Sequence, residues 1–398
     1  MDAKEILTNR AFCPMPWTGI MYNFDGTVKN CIRSAEPIGN IKDTPIQEIL
    51  RNDLIIKAQM RAGEKFSRCN PCYELEQKQN KFDIISDRVF YLKELRDVDN
   101  TLYDTMNFAL HTVDIRWSNL CNFACVYCNP AFSSKWSSEL DVVIDTPADQ
   151  RRREFKEYIF KHAAQLKHVY LAGGEPLLMK ENLEFLQLLK QVNPTVNLRI
   201  NTNLSQMDTR IFDLVCEFKN VHWTVSVESM EQEFEYIRYG GVWQDFVNNL
   251  HTIKQLDHKI SFNMLHFLLN YRSIFDCVDY LSGQGFHNNS FVIGALTGPL
   301  HLNIRHLPDA VLNSVKKMLS DRIAQQPGYL LENGYQNMLT HLDQPFEKDL
   351  AGSFEKLADM DARRKLDSRA IFKDLYKEEN HGKTIRRKQV PQGNHKKH

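Results

Sequence analysis

The chain is 398 residues long, enough for two or three domains with a large buried interior. Its 50 Lys and Arg cancel its 50 Asp and Glu, so no overall field recruits nucleic acid or an anionic membrane, and neither is expected as a partner. Hydrophobic residues make up an ordinary 42%, no apolar run approaches a membrane span, and the opening Met-Asp-Ala-Lys-Glu lacks a signal-peptide profile.

Nine cysteines in a chain without export features read as thiols and metal ligands rather than a disulfide framework, and a cytoplasmic location is expected. Short strands are predicted over Thr18–Phe24 and Thr27–Ile32, joined by the hairpin signal Asp25-Gly26. Cys13 lies just ahead of the first and Cys31 near the end of the second. The turn Ile38-Gly-Asn-Ile41 precedes a predicted helix with Thr44 as N-cap, Pro45 at its first position and Gln47 closing a capping box. Ile46, Ile49, Leu50, Leu54 and Ala58 keep helical spacing until Gly63, and Cys69-Asn-Pro-Cys72 follows. Four cysteines are thus placed to converge on one metal site, either a cluster or a zinc knuckle. Residues 73–110 are charged and helical in character and read as a connector.

From Thr112 strands alternate with helices, the pattern of a parallel sheet. Strands are predicted at Val113–Trp117, His168–Ala172, Asn197–Asn201, His222–Val227, Ile260–Leu265 and Ser290–Gly294, with helical stretches around 151–166, 181–191, 208–218, 244–256 and 272–283. Functional residues of such a fold belong at strand C-termini. After the first strand come Cys121, Cys125 and Cys128 in C-x3-C-x2-C spacing, with Tyr127 just before the last. Three thiolates on a short loop can grip three corners of an iron–sulfur cubane and leave the fourth iron open. A structural zinc site would want a fourth ligand nearby, and none follows at that spacing. Gly173-Gly-Glu-Pro176 follows the second strand; its glycines let backbone groups approach a ligand, and Glu175 can accept from an ammonium. Asn201-Thr-Asn203 follows the third strand and Ser226-Val-Glu228 the fourth, as ligand contacts or as strand-end caps. Arg238 is available for a carboxylate or for a surface ion pair. Helices are predicted over 309–324 and 349–378, with a loop at Gln326–Tyr335. Residues 381–398 hold six Lys/Arg, three His and no acids, and read as a disordered tail or a contact to an anionic partner.

The cysteine loop, with Gly173–Pro176 one strand later, resembles the cluster motif of the radical S-adenosylmethionine (SAM) enzymes. That resemblance implies a 4Fe–4S cluster on Cys121, Cys125 and Cys128, whose open iron chelates SAM. It implies that Tyr127, Gly173, Gly174, Glu175, Pro176, Asn201, Asn203, Ser226, Glu228 and Arg238 line the SAM site, with Val292–Leu296 closing the adenine pocket. Reduction then splits SAM into methionine and a 5′-deoxyadenosyl radical that takes a substrate hydrogen. An electron donor such as a flavodoxin or ferredoxin is implied as partner. The order Cys13, Pro16-Trp17, hairpin, Cys31, Gly39-Asn40, helix, Cys69 and Cys72 resembles the auxiliary-cluster SPASM/twitch module of the same enzymes. The module usually follows the barrel; here it precedes it.

The predicted fold is α/β: a partial (β/α)6 TIM-like barrel with an N-terminal hairpin-plus-helix auxiliary-cluster module and a C-terminal helical extension. The expected division is a cluster module at 1–75, a connector at 76–110, the core barrel at 111–308, a helical region at 309–380 and the tail at 381–398. Cys216 and Cys277 read as lone mid-helix hydrophobes, which leaves Cys13, Cys31, Cys69 and Cys72 for one auxiliary cluster. Modification of a peptide or protein side chain, as in maturation of a ribosomal peptide, is the leading expectation. Radical chemistry on a sugar or nucleotide derivative is the alternative, and a non-catalytic iron–sulfur scaffold the third.

Overall fold

A computed structural model describes residues 3–34, 36–77, 86–93, 100–325 and 330–377. The expected basic tail lies outside the described residues, as do parts of the connector and of the 326–335 loop. Two compact units divide the chain: Met1–Ala124 with Asn129–Ser226 and Val247–Ser261, and Cys125–Cys128 with Val227–Phe246 and Phe262–His398.

The first unit holds β1 (Gly19–Tyr22), β2 (Thr27–Lys29), β3 (Gly39–Asn40), β4 (Thr112–Ile115), β5 (His168–Leu171), β6 (Asn197–Thr202) and β7 (Val221–Ser226). Their order is β3-β2-β1-β4-β5-β6-β7. β1 and β2 form the expected antiparallel hairpin. β1 then pairs in parallel with β4, Gly19 opposite Thr112 and Tyr22 opposite Ile115. The hairpin is therefore not a bead ahead of the barrel; it continues the barrel's own sheet. β4 to β7 pair in parallel in chain order, with helices Asp149–Lys161, Lys180–Val192 and Arg210–Cys216 as crossovers. The order does not return to its start, so the sheet is open, as a partial barrel requires.

Alternation along these strands separates two faces. Val113, Ile115, Val169, Leu171, Leu198 and Ile200 are buried on one. On that side Tyr22, opposite Ile115, stacks on Phe155 of the first crossover helix at 4.2 Å between centroids. The other face carries Asp114, Tyr170, Arg199 and His222 in a single cross-strand row.

In the second unit Phe262–His266 of β8 (Lys259–His266) pair in parallel with β9 (Phe291–Ala295), and helix Ser273–Gly283 joins them. Among the described residues no helix is long and apolar enough to cross a membrane.

Several local expectations are corrected. The Thr44 capping box does not form: the helix starts at Ile46 without a side-chain cap. It breaks at Ile49 and resumes at Leu54, and between the two pieces Asn52 donates its side-chain amide to the Ile38 carbonyl at 3.1 Å, tying the break to the preceding turn. Part of the expected 326–335 loop is helix Leu330–Leu342, whose Leu331, Tyr335, Met338 and Leu342 are buried. Gly334, which looked like a loop residue, sits where a Cβ would come within 3.1 Å of the Ile293 Cβ on β9. Cys216 closes its helix half-buried rather than lying mid-helix, whereas Cys277 is a buried mid-helix residue as expected.

Candidate functional site

The N-terminal cysteines are gathered by short local devices. Asn9 accepts the Ala11 and Phe12 amides, and Phe12 stacks on Trp17, which fixes the turn carrying Cys13. Cys31 follows β2 and accepts the Arg33 amide at 3.3 Å. Cys69 ends a single 3-10 turn, and Cys72 sits in the first turn of helix Asn70–Gln77. All four thiols line one cavity, together with Arg33, Arg68 and Arg88. Burial, reinforced by the neighbouring cysteines, pushes Cys13 well above the ordinary thiol range, Cys31 up to about 12 and Cys69 up to about 11. Such thiols give up their protons only to a strong cationic centre.

The residues fit an anionic cluster. Arg33 is paired with Asp87, Arg88 with Glu76, and Arg68 with Glu36 at 3.4 Å and Asp53 at 3.9 Å, while the buried Nε of Arg68 has no hydrogen-bond partner among the described residues. Among those residues no three Cys, His, Asp or Glu side chains are drawn close enough to hold a single metal ion. Four thiolates on a tetrahedral zinc would stand about 3.8 Å apart, from a Zn–S length of about 2.3 Å. In a cubane each thiolate takes its own iron, and the sulfurs spread around a larger body.

The cysteine loop after β4 is pinned from both sides. In the first unit the Cys121 amide donates to the Ser134 hydroxyl at 3.1 Å, and the Ser133 hydroxyl donates to the Phe123 carbonyl at 2.6 Å. Ser133 also caps helix Ser134–Leu140 through the Trp136 amide. The sequence reading missed this anchor, although two serines ahead of a helix-forming run are an N-cap signal.

Gly173 and Gly174 are required where they stand. Gly173 has φ +112°, and a Cβ on Gly174 would lie 2.1 Å from the Leu120 carbonyl oxygen. The two loops are in backbone contact, sealed by the Glu175 amide donating to Leu120 at 2.7 Å. The Glu175 carboxylate is fully buried and accepts from the Leu177 amide, the Thr202 hydroxyl and the Asn203 amide. A carboxylate so engaged is a strut between loops. Pro176 starts a buried 3-10 turn beside it. Asn203 continues the chain of contacts to Asn122, and Asn122 to Ser205. Asn201 Oδ1 is buried without a partner among the described residues, and Ser226 is half-buried at the end of β7. Glu175→Gln should cost about 1–3 kcal/mol, because an amide nitrogen would face donors. Urea unfolding with an unchanged slope measures it, and an unchanged midpoint would refute the strut.

In the second unit Cys125, Tyr127 and Cys128 are held by the Val126 amide on the Ile237 carbonyl at 2.8 Å and the Cys128 amide on Cys125 at 2.9 Å. The Tyr127 hydroxyl donates to Glu228 at 2.9 Å and accepts from Arg238 at 2.5 Å, while Arg238 meets Glu228 at 2.9 Å. Glu228 and Arg238 are 1% and 4% exposed, so Arg238 forms a buried pair rather than a surface one, and its Nε has no hydrogen-bond partner among the described residues. Burial raises the Glu228 carboxyl, opposed by Arg238 and by the Tyr127 hydroxyl. Burial works against the Arg238 charge, but Tyr127 and Glu228 hold the guanidinium protonated. Asn270, fully buried and unmarked by the sequence reading, clamps the Glu228 and Leu265 carbonyls. The expected adenine-closing segment Val292–Leu296 is mostly β9.

Comparison with known proteins finds matches to two segments of the chain. Residues 115–281 match the radical SAM superfamily, and residues 13–73 match the SPASM iron–sulfur cluster-binding domain. A GTP 3′,8-cyclase of Campylobacter lari is 21% identical over 168 residues, 41% of this chain and 48% of that protein. One from Synechocystis sp. is 25% identical over 186 residues, 46% of this chain and 54% of that protein. The chain thus spans about half the length of these relatives. Among solved structures, Streptococcus suis SuiB bound to precursor peptide SuiA aligns at TM-score 0.41 and 14% identity, over 73% of this chain and 65% of that one. Native anSMEcpe with bound AdoMet aligns at TM-score 0.40 and 17% identity, over 52% of this chain and 58% of that one. Residues 115–281 thus match a radical SAM domain, and residues 13–73, ahead of it in the chain, match a SPASM iron–sulfur module.

Proposed function

We propose that Cys121, Cys125 and Cys128 hold a 4Fe–4S cluster and that the chain cleaves SAM reductively to abstract hydrogen from a peptide or protein side chain. The observation that carries the chemistry is the three-cysteine loop directly after β4, with the Gly173–Pro176 loop packed on its first half. When bound, the cluster and SAM supply methionine and a 5′-deoxyadenosyl radical. Gly173 and Gly174 keep backbone atoms bare of side chains, and Asn201 Oδ1 offers an acceptor for a ligand hydroxyl. The buried Glu228–Arg238 pair fixes Tyr127 beside the last cysteine. A flavodoxin or ferredoxin is the electron donor that this chemistry calls for. The test is anaerobic reconstitution with a strong reductant. Release of 5′-deoxyadenosine is expected; none from a preparation with filled clusters would leave the non-catalytic scaffold.

Cys13, Cys31, Cys69 and Cys72 hold the auxiliary cluster, for about eight irons per chain at four per cubane. Replacing Cys69 and Cys72 by Ala should lower iron and sulfide to about four each. An unchanged count, or zinc in the anaerobically purified wild type, would sink this assignment.

The SPASM module at residues 13–73 supports the peptide reading. Similarity to the two GTP 3′,8-cyclases favours a second reading, a nucleotide substrate. Host extract divided by ultrafiltration separates them. Stimulation of 5′-deoxyadenosine release by the retained fraction alone supports a peptide or protein, and stimulation by the filtrate alone, reproduced with GTP, supports the nucleotide.

A further inference from the structure

Central strands of a parallel sheet are normally apolar on both faces. β5 and β6 are not. Their helix-facing residues Val169, Leu171, Leu198 and Ile200 are buried, while the opposite face places Tyr170 beside Arg199 in register, flanked by Asp114 on β4 and His222 on β7. The next row toward the strand ends carries Arg116, Asn201 and Thr224.

The charges in this patch do not cancel. Arg116 is neutralised by Asp114 at 2.6 Å, with both side chains buried. His222 is pushed down to about 3 by burial, with Arg199 and Lys259 adding to the effect, so it is uncharged and its Nε2 lies 2.8 Å from the Ser261 hydroxyl. Arg199 has no carboxylate at ion-pair distance among the described residues, Asp114 acting on it only from across the row, and it is exposed although β6 is flanked by strands on both sides. It is nonetheless held in place. Its Nε donates to the Thr224 hydroxyl at 2.8 Å, and its guanidinium lies over the Tyr170 ring at 5.2 Å. With Nε engaged, the terminal edge with both Nη groups remains as a preset fork, the geometry that grips an oxyanion with two parallel bonds.

We propose that Arg199, steadied by Thr224 and Tyr170, anchors an acidic group of the substrate, a carboxylate or a phosphate. In calling the ligand the substrate, this rests on the radical SAM reading above. Arg199 lies two residues before Asn201, about 7 Å along the strand at the usual rise per residue. The acid group is therefore held one layer deeper than the strand ends, and the reacting part of the substrate points back toward the cysteine loop. The substrate class narrows to molecules with an oxyanion at that reach: an acidic peptide side chain or C-terminus, or a phosphate ester.

The test is phenylglyoxal labelling of the anaerobic holoenzyme, with each arginine followed by peptide mass spectrometry. The exposed Arg210 serves as reference. Arg199 should be labelled, and millimolar inorganic phosphate or acetate should slow its labelling severalfold while Arg210 is unaffected. Protection by phosphate alone points to a phosphate ester, by acetate alone to a carboxylate, and by both to a general oxyanion clamp. Thr224→Val should diminish the protection, because the fork loses its Nε support. Arg199 labelling that neither anion slows, equal slowing at Arg210, or no labelling of Arg199 would overturn the proposal. No turnover is needed, so a failure here is distinguishable from a failure to release 5′-deoxyadenosine.

Discussion

Cys125→Ala is expected to leave no detectable 5′-deoxyadenosine under conditions where the wild type produces it. Only three cysteines serve the loop, and no fourth side chain follows at ligand spacing to replace one. Two thiolates cannot retain a cubane against loss of iron, so iron should fall from about eight to about four per chain while the auxiliary cluster stays. The fold should survive. The backbone bonds that shape this segment, Val126 to Ile237 and Cys128 to Cys125, do not use the Cys125 side chain. Iron analysis, far-ultraviolet circular dichroism and product chromatography on one sample separate loss of cluster from loss of structure. Wild-type product from this variant would end the assignment of the SAM cluster to these cysteines.

The second large effect is on stability. Arg238→Met should destabilise the protein by about 3–5 kcal/mol, the usual result of leaving one member of a buried ion pair without the other. Glu228 would keep its buried carboxylate with only the Tyr127 hydroxyl as a polar partner for its side chain among the bonds described. Adding Glu228→Leu removes that charge as well and should recover much of the loss, since an apolar pair of similar volume costs far less than a lone buried ion. Urea midpoints of the two single variants and the double variant complete the cycle. A loss below about 1 kcal/mol for Arg238→Met would mean that the pair is hydrated and behaves like a surface bridge.

The chemistry of this chain was more legible in its sequence than its architecture. Cysteine spacing and the Gly173-Gly-Glu-Pro176 element stand out because they are local, and the six core strands show because their apolar alternation is local too. Long-range pairings leave no such trace. Nothing in Gly19–Tyr22 announces that it will align with Thr112–Ile115, some ninety residues on. Polar side chains were located but their partners inside the protein were not. Glu175, Glu228 and Arg238 all occupy ligand-like positions in the sequence, yet each is engaged inside the protein, and burial cannot be read from a single line of residues. Arg199 was passed over for the opposite reason: one arginine in an alternating strand looks like an outward solvated residue until the register places it beside Tyr170.

The parallel pairing of β1 with β4 also decides what guards the flank of the barrel. An open sheet has two bare margins, and a strand as buried as Thr112–Ile115 would be a template for pairing between chains. Here the hairpin covers that margin, and the sheet then tapers through the three-residue β2 to the two-residue β3. A margin that short offers little for another chain to extend. The segment carrying Cys13 and Cys31 is thus also the hem of the sheet, and the protein cannot shed its second metal module without unravelling an edge.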